Sequence, residues 1–268
     1  MNQSPRNTVN VAAGILYRDD GAFLLSSRPQ GKVYAGFWEF AGGKAESGES
    51  IFAALQREFH EELGISITHA TPWLTRIHDY EHARVALYFY RIAADSWHGT
   101  IHARERQNFC WQQADDVRVS PLLPANEPIL TALAIPNQLS GSLKTGFFGY
   151  SKMGKRFDVW PWQRMENHHA QIVFAFDERD RIRSLPSGMR VWLAIDHAEQ
   201  WRWVQDADAV VWRVQNANDA QALLAVLTHG VAVPVLPLAD DVLLRQYGAA
   251  WLATGAHGLI KNETIAVV

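Results

Sequence analysis

The stretch that decides the fold is Gly43-Lys44-Ala45-Glu46-Ser47-Gly48-Glu49-Ser50-Ile51-Phe52-Ala53-Ala54-Leu55-Gln56-Arg57-Glu58-Phe59-His60-Glu61-Glu62-Leu63-Gly64-Ile65. At ~100° per residue, Ile51, Leu55, Phe59 and Leu63 fall on one apolar stripe, the mark of a helix laid against a core. The pattern predicts a helix over residues 50–63 that stops at Gly64, a residue suited to a left-handed cap. Glu58, Glu61 and Glu62 cluster at and inside the edge of the same stripe, with Glu62 almost on it. Three glutamates on a helix are usually a solvated face. Here they would be part-buried, where ionised carboxylates repel one another and lose hydration unless a cation neutralises them. A hard divalent ion answers that need, and Mg²⁺, which takes oxygen ligands and bridges carboxylates to phosphates, fits a catalytic site better than a structural one.

Outward from this helix, residues 9–17 and 22–27 read as strands joined by the turn Asp19-Asp20-Gly21, where Asp-Gly supplies a positive φ. A glycine bend at Gly42-Gly43 follows residues 37–40. Further strands are expected at 75–80, 84–92 and 109–112, and a helix at 125–134 ends before Pro136. Residues 136–149, rich in Ser and Gly, read as a linker. Beyond it, short apolar strands at 173–176, 191–195, 209–214, 233–236 and 251–254 alternate with helical stretches at 218–227 and 240–247, a pattern of parallel α/β structure. The reading is therefore α/β throughout, with a domain at 1–135, a linker at 136–149 and a smaller α/β domain at 150–268.

Composition bounds the partners. The chain has 268 residues, 48% of them hydrophobic and 20% charged, and its formal net charge of −3 gives no general attraction for polyanions, so duplex nucleic acid is not an expected partner. A small nucleotide is still compatible, because a metal and a few basic groups hold a polyphosphate. The single cysteine, Cys110, excludes an internal disulfide framework. No apolar run approaches the ~20 residues of a membrane span. Residues 1–10 hold no hydrophobic signal core, and the cytoplasm is the expected compartment. Nothing in the sequence specifies an oligomeric state, and the eleven tryptophans, mostly from Trp160 onward, have no evident mechanistic role.

Gly43, Glu49 and the run Arg57-Glu58-Phe59-His60-Glu61-Glu62-Leu63-Gly64-Ile65 match the Nudix box without a departure, and the N-terminal half resembles the Nudix hydrolases. The resemblance implies an α/β/α sandwich with a mixed sheet. It implies metal held by Glu58, Glu61, Glu62 and the carbonyl of Gly42, with Mg²⁺ as cofactor and Mn²⁺ as a substitute. It also implies a structural ion pair between Glu49 and Arg57. The catalytic carboxylates would be Glu58, Glu61 and Glu62 together with Glu105, which matches a glutamate that family members carry outside the box. The general base is left between Glu58 and Glu105. Read without the family, Glu105 is a solvent-exposed loop residue between two arginines.

Trp38-Glu39-Phe40-Ala41-Gly42-Gly43-Lys44 and Pro124-Ala125-Asn126-Glu127-Pro128 resemble the segments that frame the base in the MutT group, which acts on oxidised purine nucleotides such as 8-oxo-dGTP. By that resemblance Asn126 reads the base through its amide, and Arg28, Glu39, Phe40, Ala41 and Gly42 line the nucleotide. The plainer readings are a helix N-cap for Asn126 and an exposed strand-end residue for Arg28. Two departures stand out: Ala41 replaces the usual proline, and Ala83 falls where some members place an arginine. The expected activity is hydrolysis of an oxidised purine deoxynucleoside triphosphate to the monophosphate and pyrophosphate, in nucleotide-pool sanitation and DNA repair. The alternatives are another pyrophosphate substrate, such as a thiamine-pathway compound or a sugar nucleotide, and a catalytically silent nucleotide-binding module.

From about Gly149 the chain faintly resembles the thiamine-phosphate synthase barrel, most clearly in Val233-Pro234-Val235-Leu236 and Tyr247-Gly248-Ala249-Ala250-Trp251-Leu252-Ala253-Thr254-Gly255-Ala256. It looks too short for eight strands, since a full barrel needs at least ~200 residues. The expectation is part of a β/α barrel, degenerate and noncatalytic. Asp196-His197 reads as a polar turn and His168-His169 as surface.

Overall fold

The computed structural model describes residues 8–79, 84–166 and 168–263. The chain divides into two compact units, Met1–Leu133 and Ala134–Val268. Two positions named above, Tyr80 at the end of an expected strand and Ala83, lie outside the described residues.

In the first unit β1 (Thr8–Leu16), β2 (Phe23–Ser27), β3 (Trp38–Glu39) and β4 (Gly42–Lys44) precede α1 (Ile51–Leu63). Then come β5 (Ser66–Ile67), β6 (Thr71–Asp79), β7 (Arg84–Ile92), β8 (Trp97–His98), β9 (Phe109–Gln112) and α2 (Glu127–Leu133). The main sheet is mixed, in the order β4-β1-β7-β6, with β1 parallel to β7 and its other pairings antiparallel. A second sheet runs β3-β2-β9, and β5 pairs with β8. The turn between β1 and β2 is closed by Gly21 at φ +79°.

The box helix forms as its sequence dictates. Ser50 caps its start, accepting from the Ala53 N–H at 3.1 Å, and Gly64 ends it at φ +73°. Its inner face buries Ala54, Leu55, Phe59 and Leu63 against Ala12, Leu16 and Ile92. The helix approaches β1 so closely that a Cβ on Gly14 would sit 2.5 Å from the Phe59 ring. That contact fixes the helix over the sheet and presents its acidic edge towards β4.

The second unit overturns four expectations. Residues 136–149 are not a linker: β10 (Gln138–Ser142) and β11 (Gly146–Tyr150) form an antiparallel hairpin there. The barrel is not partial either. β10, β11, β12 (Arg156–Pro161), β13 (Gln171–Phe174), β14 (Arg190–Ile195), β15 (Ala209–Arg213), β16 (Val235–Ala239) and β17 (Leu259–Asn262) close into one ring. Residues 251–254, expected as a strand, complete the helix α4 (Asp241–Thr254), which follows α3 (Ala217–Thr228). Apolar Trp251 continues the buried face of that helix with Leu243 and Gly248, so a short apolar run there is helical rather than extended.

Eight strands fit in so short a chain because most helical crossovers are missing. The two antiparallel connections β10–β11 and β11–β12 need only turns. The crossovers after β13 and β14 are nine-residue 3₁₀ stretches, Phe176–Ser184 and Ala198–Asp206. Tryptophans tie these crossovers to the strands and to one another. Trp201 lies on Trp212 at 6.2 Å between ring centroids, and Trp251 donates to the Ala220 carbonyl at 3.3 Å to join α4 to α3. Inside the ring, Leu139, Phe147, Val159, Val173, Trp192, Val211, Leu236 and Ile260 make a solid core. His169, expected at the surface, is buried with its ring stacked on Trp160 at 4.3 Å. Its Nδ1 accepts the Glu166 N–H at 3.0 Å. Asp196 directly follows β14 and pairs with Arg213 at the end of neighbouring β15, at 2.9 Å.

Candidate active site

Three segments of the first unit meet around α1. β4 brings Gly42 and Gly43 beside it, the connection between β2 and β3 brings Arg28 and Lys32, and the segment before β9 brings Glu105. Gly42 adopts φ +143°, and a Cβ there would lie 2.1 Å from the Ala12 carbonyl oxygen, so only glycine lets β4 pair with β1 at this point. At Gly43 the space a Cβ would need is filled by the Glu58 carboxyl group, 2.3 Å away. The two glycines therefore form a cradle in which the acidic edge of the helix rests.

Arg57 organises that edge. Its guanidinium meets Glu49 in a fork, with Nε to Oε1 and Nη2 to Oε2 both at 3.0 Å. It also donates to Glu58 at 2.8 Å, to Glu61 at 3.1 Å and to the Lys44 carbonyl at 2.9 Å. A planar five-donor group can do this and an ammonium cannot. These hydrogen bonds hold the Arg57 pKa above its ordinary range and that of Glu49 below its own.

Glu62 is different in kind. Its Oε2 accepts the Gly42 N–H at 3.2 Å, and no cation is paired with it among the described residues. Burial, opposed by that hydrogen bond and reinforced by the charges of Glu105, Glu58 and Glu39, pushes its pKa up to about 7. A part-buried carboxylate with other carboxylates near it suits a divalent cation, which would relieve both the desolvation and the repulsion.

A pH dependence follows for the metal-free protein. The folded-state pKa of Glu62 lies above the ordinary carboxylate value, so the folded state holds the proton more tightly than the unfolded chain. The associated stability is complete below about pH 4 and is lost as pH rises through about 7. Between pH 6 and 8 the loss is on the order of 1 kcal/mol. Urea denaturation in the presence of a chelator should show it, and Glu62→Gln should remove it. An equal loss in that variant would assign the effect to another group.

The nucleotide-side residues divide. Arg28 donates to both oxygens of Glu39, at 2.7 and 2.6 Å, and to the Val33 carbonyl at 2.7 Å. Burial raises the Glu39 pKa and Arg28 opposes the rise. Phe40 is 4% exposed, with its ring between Phe23 and Phe89 at 5.8 and 6.0 Å, so it can offer a ligand only its backbone. Ala41 is buried in the same way, and its carbonyl accepts the Gly14 N–H at 3.0 Å. Glu105 is half-exposed and pairs with Lys32 at 2.7 Å. Lys32 had no signal in the sequence, because its partner lies 73 residues away.

Asn126 lies in a 3₁₀ turn, Pro124–Asn126, one residue before α2. That turn is placed by backbone pairing of the preceding residues with β3: Trp38 N–H donates to Pro121 at 2.9 Å and Leu123 N–H to Trp38 at 3.0 Å. The Asn126 side chain is 5% exposed, and its Nδ2 has no hydrogen-bond partner among the described residues.

The likeness to known proteins lies in the first unit. The family model for the NUDIX domain matches residues 12–132. Over 124 residues, 46% of this chain and 90% of the relative, the sequence is 39% identical to a CTP pyrophosphohydrolase of Escherichia coli (strain K12). Over 128 residues, 48% of this chain and 93% of the relative, it is 30% identical to an 8-oxo-dGTP diphosphatase of Haemophilus influenzae. The solution structure of the E. coli ORF135 protein aligns at 36% identity and a TM-score of 0.43, covering 48% of this chain and 90% of that one.

Proposed function

Since the chain belongs to the Nudix hydrolases and its N-terminal unit is of MutT type, we propose that it is a Mg²⁺-dependent pyrophosphohydrolase acting on an oxidised purine nucleoside triphosphate such as 8-oxo-dGTP. The products would be the monophosphate and pyrophosphate, and the role nucleotide-pool sanitation in support of DNA repair.

Glu58, Glu61 and Glu62 would hold the cation, together with the Gly42 carbonyl. When bound, a divalent ion polarises phosphoryl oxygens and offsets the charge of the leaving group. Arg57 fixes Glu58 and Glu61 and, with Glu49, holds the loop before α1. The Glu58 carboxylate is committed to Arg57 and to the glycine cradle. Glu105, on a more exposed connection, is the carboxylate left to accept a proton from the attacking water.

The observation that carries the substrate assignment is the orphaned amide of Asn126. A buried N–H without a partner costs about 1–3 kcal/mol, and a ligand acceptor placed there recovers it. The edge of an oxidised purine offers both donors and acceptors to such an amide. A second reading, CTP as substrate, rests on the 39% identity to the CTP pyrophosphohydrolase.

The test is pyrophosphate release from 8-oxo-dGTP, dGTP, CTP, ADP-ribose and thiamine pyrophosphate by the wild type and Asn126→Ala. We expect kcat/KM for 8-oxo-dGTP to exceed that for dGTP by about tenfold or more, and Asn126→Ala to erase most of the difference. Preference for CTP, unaffected by Asn126→Ala, would replace the leading reading with the second. Absence of any turnover would leave a nucleotide-binding module.

A further inference from the structure

Lys32 sits in the connection between β2 and β3, on the same side of the unit as the acidic cluster. The base of this connection is pinned: Arg28 N–H donates to Phe37 at 2.8 Å and Gly36 N–H to Arg28 at 2.9 Å. Its apex is open. Val33 is 75% exposed, and nothing lies within 4 Å of where a Cβ would stand on Gly31 or Gly36. From this apex the Lys32 ammonium reaches Glu105 at 2.7 Å, and it also feels the charges of Glu62 and Arg28. The charges that face it are thus Glu105, Glu62 and Glu39 on the acidic side and Arg28 on the basic side.

This geometry sets a chemical difficulty. The Glu105 oxygen that Lys32 holds is already occupied as an acceptor, so it is not open to an attacking water while the pair is made. The pair is also easily exchanged: both groups are half-exposed, such pairs are weak, and a lysine head is a compact charge on a flexible stem. We propose that Lys32 is an exchangeable counter-cation of the site, which neutralises Glu105 in the metal-free enzyme and moves to an oxygen of the nucleotide's polyphosphate when the metal–nucleotide complex binds. The exchange frees Glu105 and adds a positive contact to the substrate in one movement. Its second half rests on the triphosphatase reading; its first half does not.

The experiment uses the full chain with Lys32→Met and Lys32→Arg. Calorimetric titration of nucleotide-free protein with Mg²⁺ alone should show about threefold or greater tightening in Lys32→Met, because a competing positive charge has left, and near wild-type affinity in Lys32→Arg. In steady-state assays with Mg²⁺ and the preferred triphosphate, Lys32→Met should raise KM about tenfold with kcat changed less than about threefold, and Lys32→Arg should restore most of KM. Unchanged or weaker Mg²⁺ affinity in Lys32→Met would show a static surface bridge and overturn the proposal, as would an unchanged KM. If the wild type turns over no triphosphate, the functional reading fails on its own, and the Mg²⁺ titration still decides whether Lys32 balances the acidic cluster.

Discussion

Replacing Glu62 by glutamine should lower kcat/KM by about 10³ or more, while leaving the metal-free protein as stable as before or more stable. The two halves of this expectation come from one cause. The Glu62 carboxyl is part-buried, and its pKa is pushed up to about 7 by desolvation and by its acidic neighbours, so its ionised form is costly unless a cation is present. Glutamine keeps the shape, and its carbonyl oxygen can still accept the Gly42 N–H. It removes the charge that a divalent ion would bind, and about 4 kcal/mol of transition-state stabilisation corresponds to a 10³-fold loss. The check is kcat/KM with saturating Mg²⁺, paired with denaturation of chelated protein. A fall of less than tenfold would remove Glu62 from the metal site, and a clear loss of stability would show that its charge is already neutralised within the folded chain.

Gly42→Ala should destabilise the first unit by about 3 kcal/mol or more and abolish activity with it. A side chain at φ +143° is strained by about 1–3 kcal/mol in any setting. Here the added carbon would also stand 2.1 Å from a backbone oxygen of β1, which no change of rotamer can relieve. The β4–β1 pairing must open, and with it goes the cradle under Glu58. Hydrogen exchange in β1 and α1 would register the loss. Gly43→Ala offers the contrast, since the atoms it would meet belong to the Glu58 side chain, which can swing aside. That variant should keep more of the fold than of the activity. Equal stability of Gly42→Ala and wild type would mean that the loop accommodates the methyl by a shift absent from this structure.

The legible and the illegible parts of this molecule separate along physical lines. The box helix was readable because its signals are local: Ser50 at one end, Gly64 at the other and a 3.6-residue apolar period between. The clustering of Glu58, Glu61 and Glu62 followed from the same period. Lys32 was not readable, because an ion pair between two connections far apart in sequence leaves no pattern. Phe40 was placed beside the nucleotide by resemblance, and the packing of its ring against Phe23 and Phe89 leaves only its backbone for such a contact.

Glycine misled the reading of residues 136–149. Ser and Gly there suggested a flexible connection, but these glycines mark close approach of backbones. A Cβ on Gly141 would meet the Gly146 carbonyl oxygen at 2.1 Å, and one on Gly149 would meet the Gln138 carbonyl oxygen at 2.5 Å. The same residue type that loosens a linker is what lets a tight hairpin form. Barrel closure was equally hidden, since it depends on pairing between β10 and β17, about 120 residues apart.

That pairing has a consequence for how the second unit behaves as an object. β17, a four-residue strand near the end of the chain, is bonded to β16 on one side and to β10 on the other. It acts as the clasp of a bracelet. While it is fastened, every strand has two neighbours and the sheet offers no edge on which another chain could grow. Unfastening it exposes two edges at once, on strands whose buried faces are almost wholly apolar. The unit thus has little room for a half-open state that is also soluble, and the few residues of the clasp guard far more of the molecule than they touch.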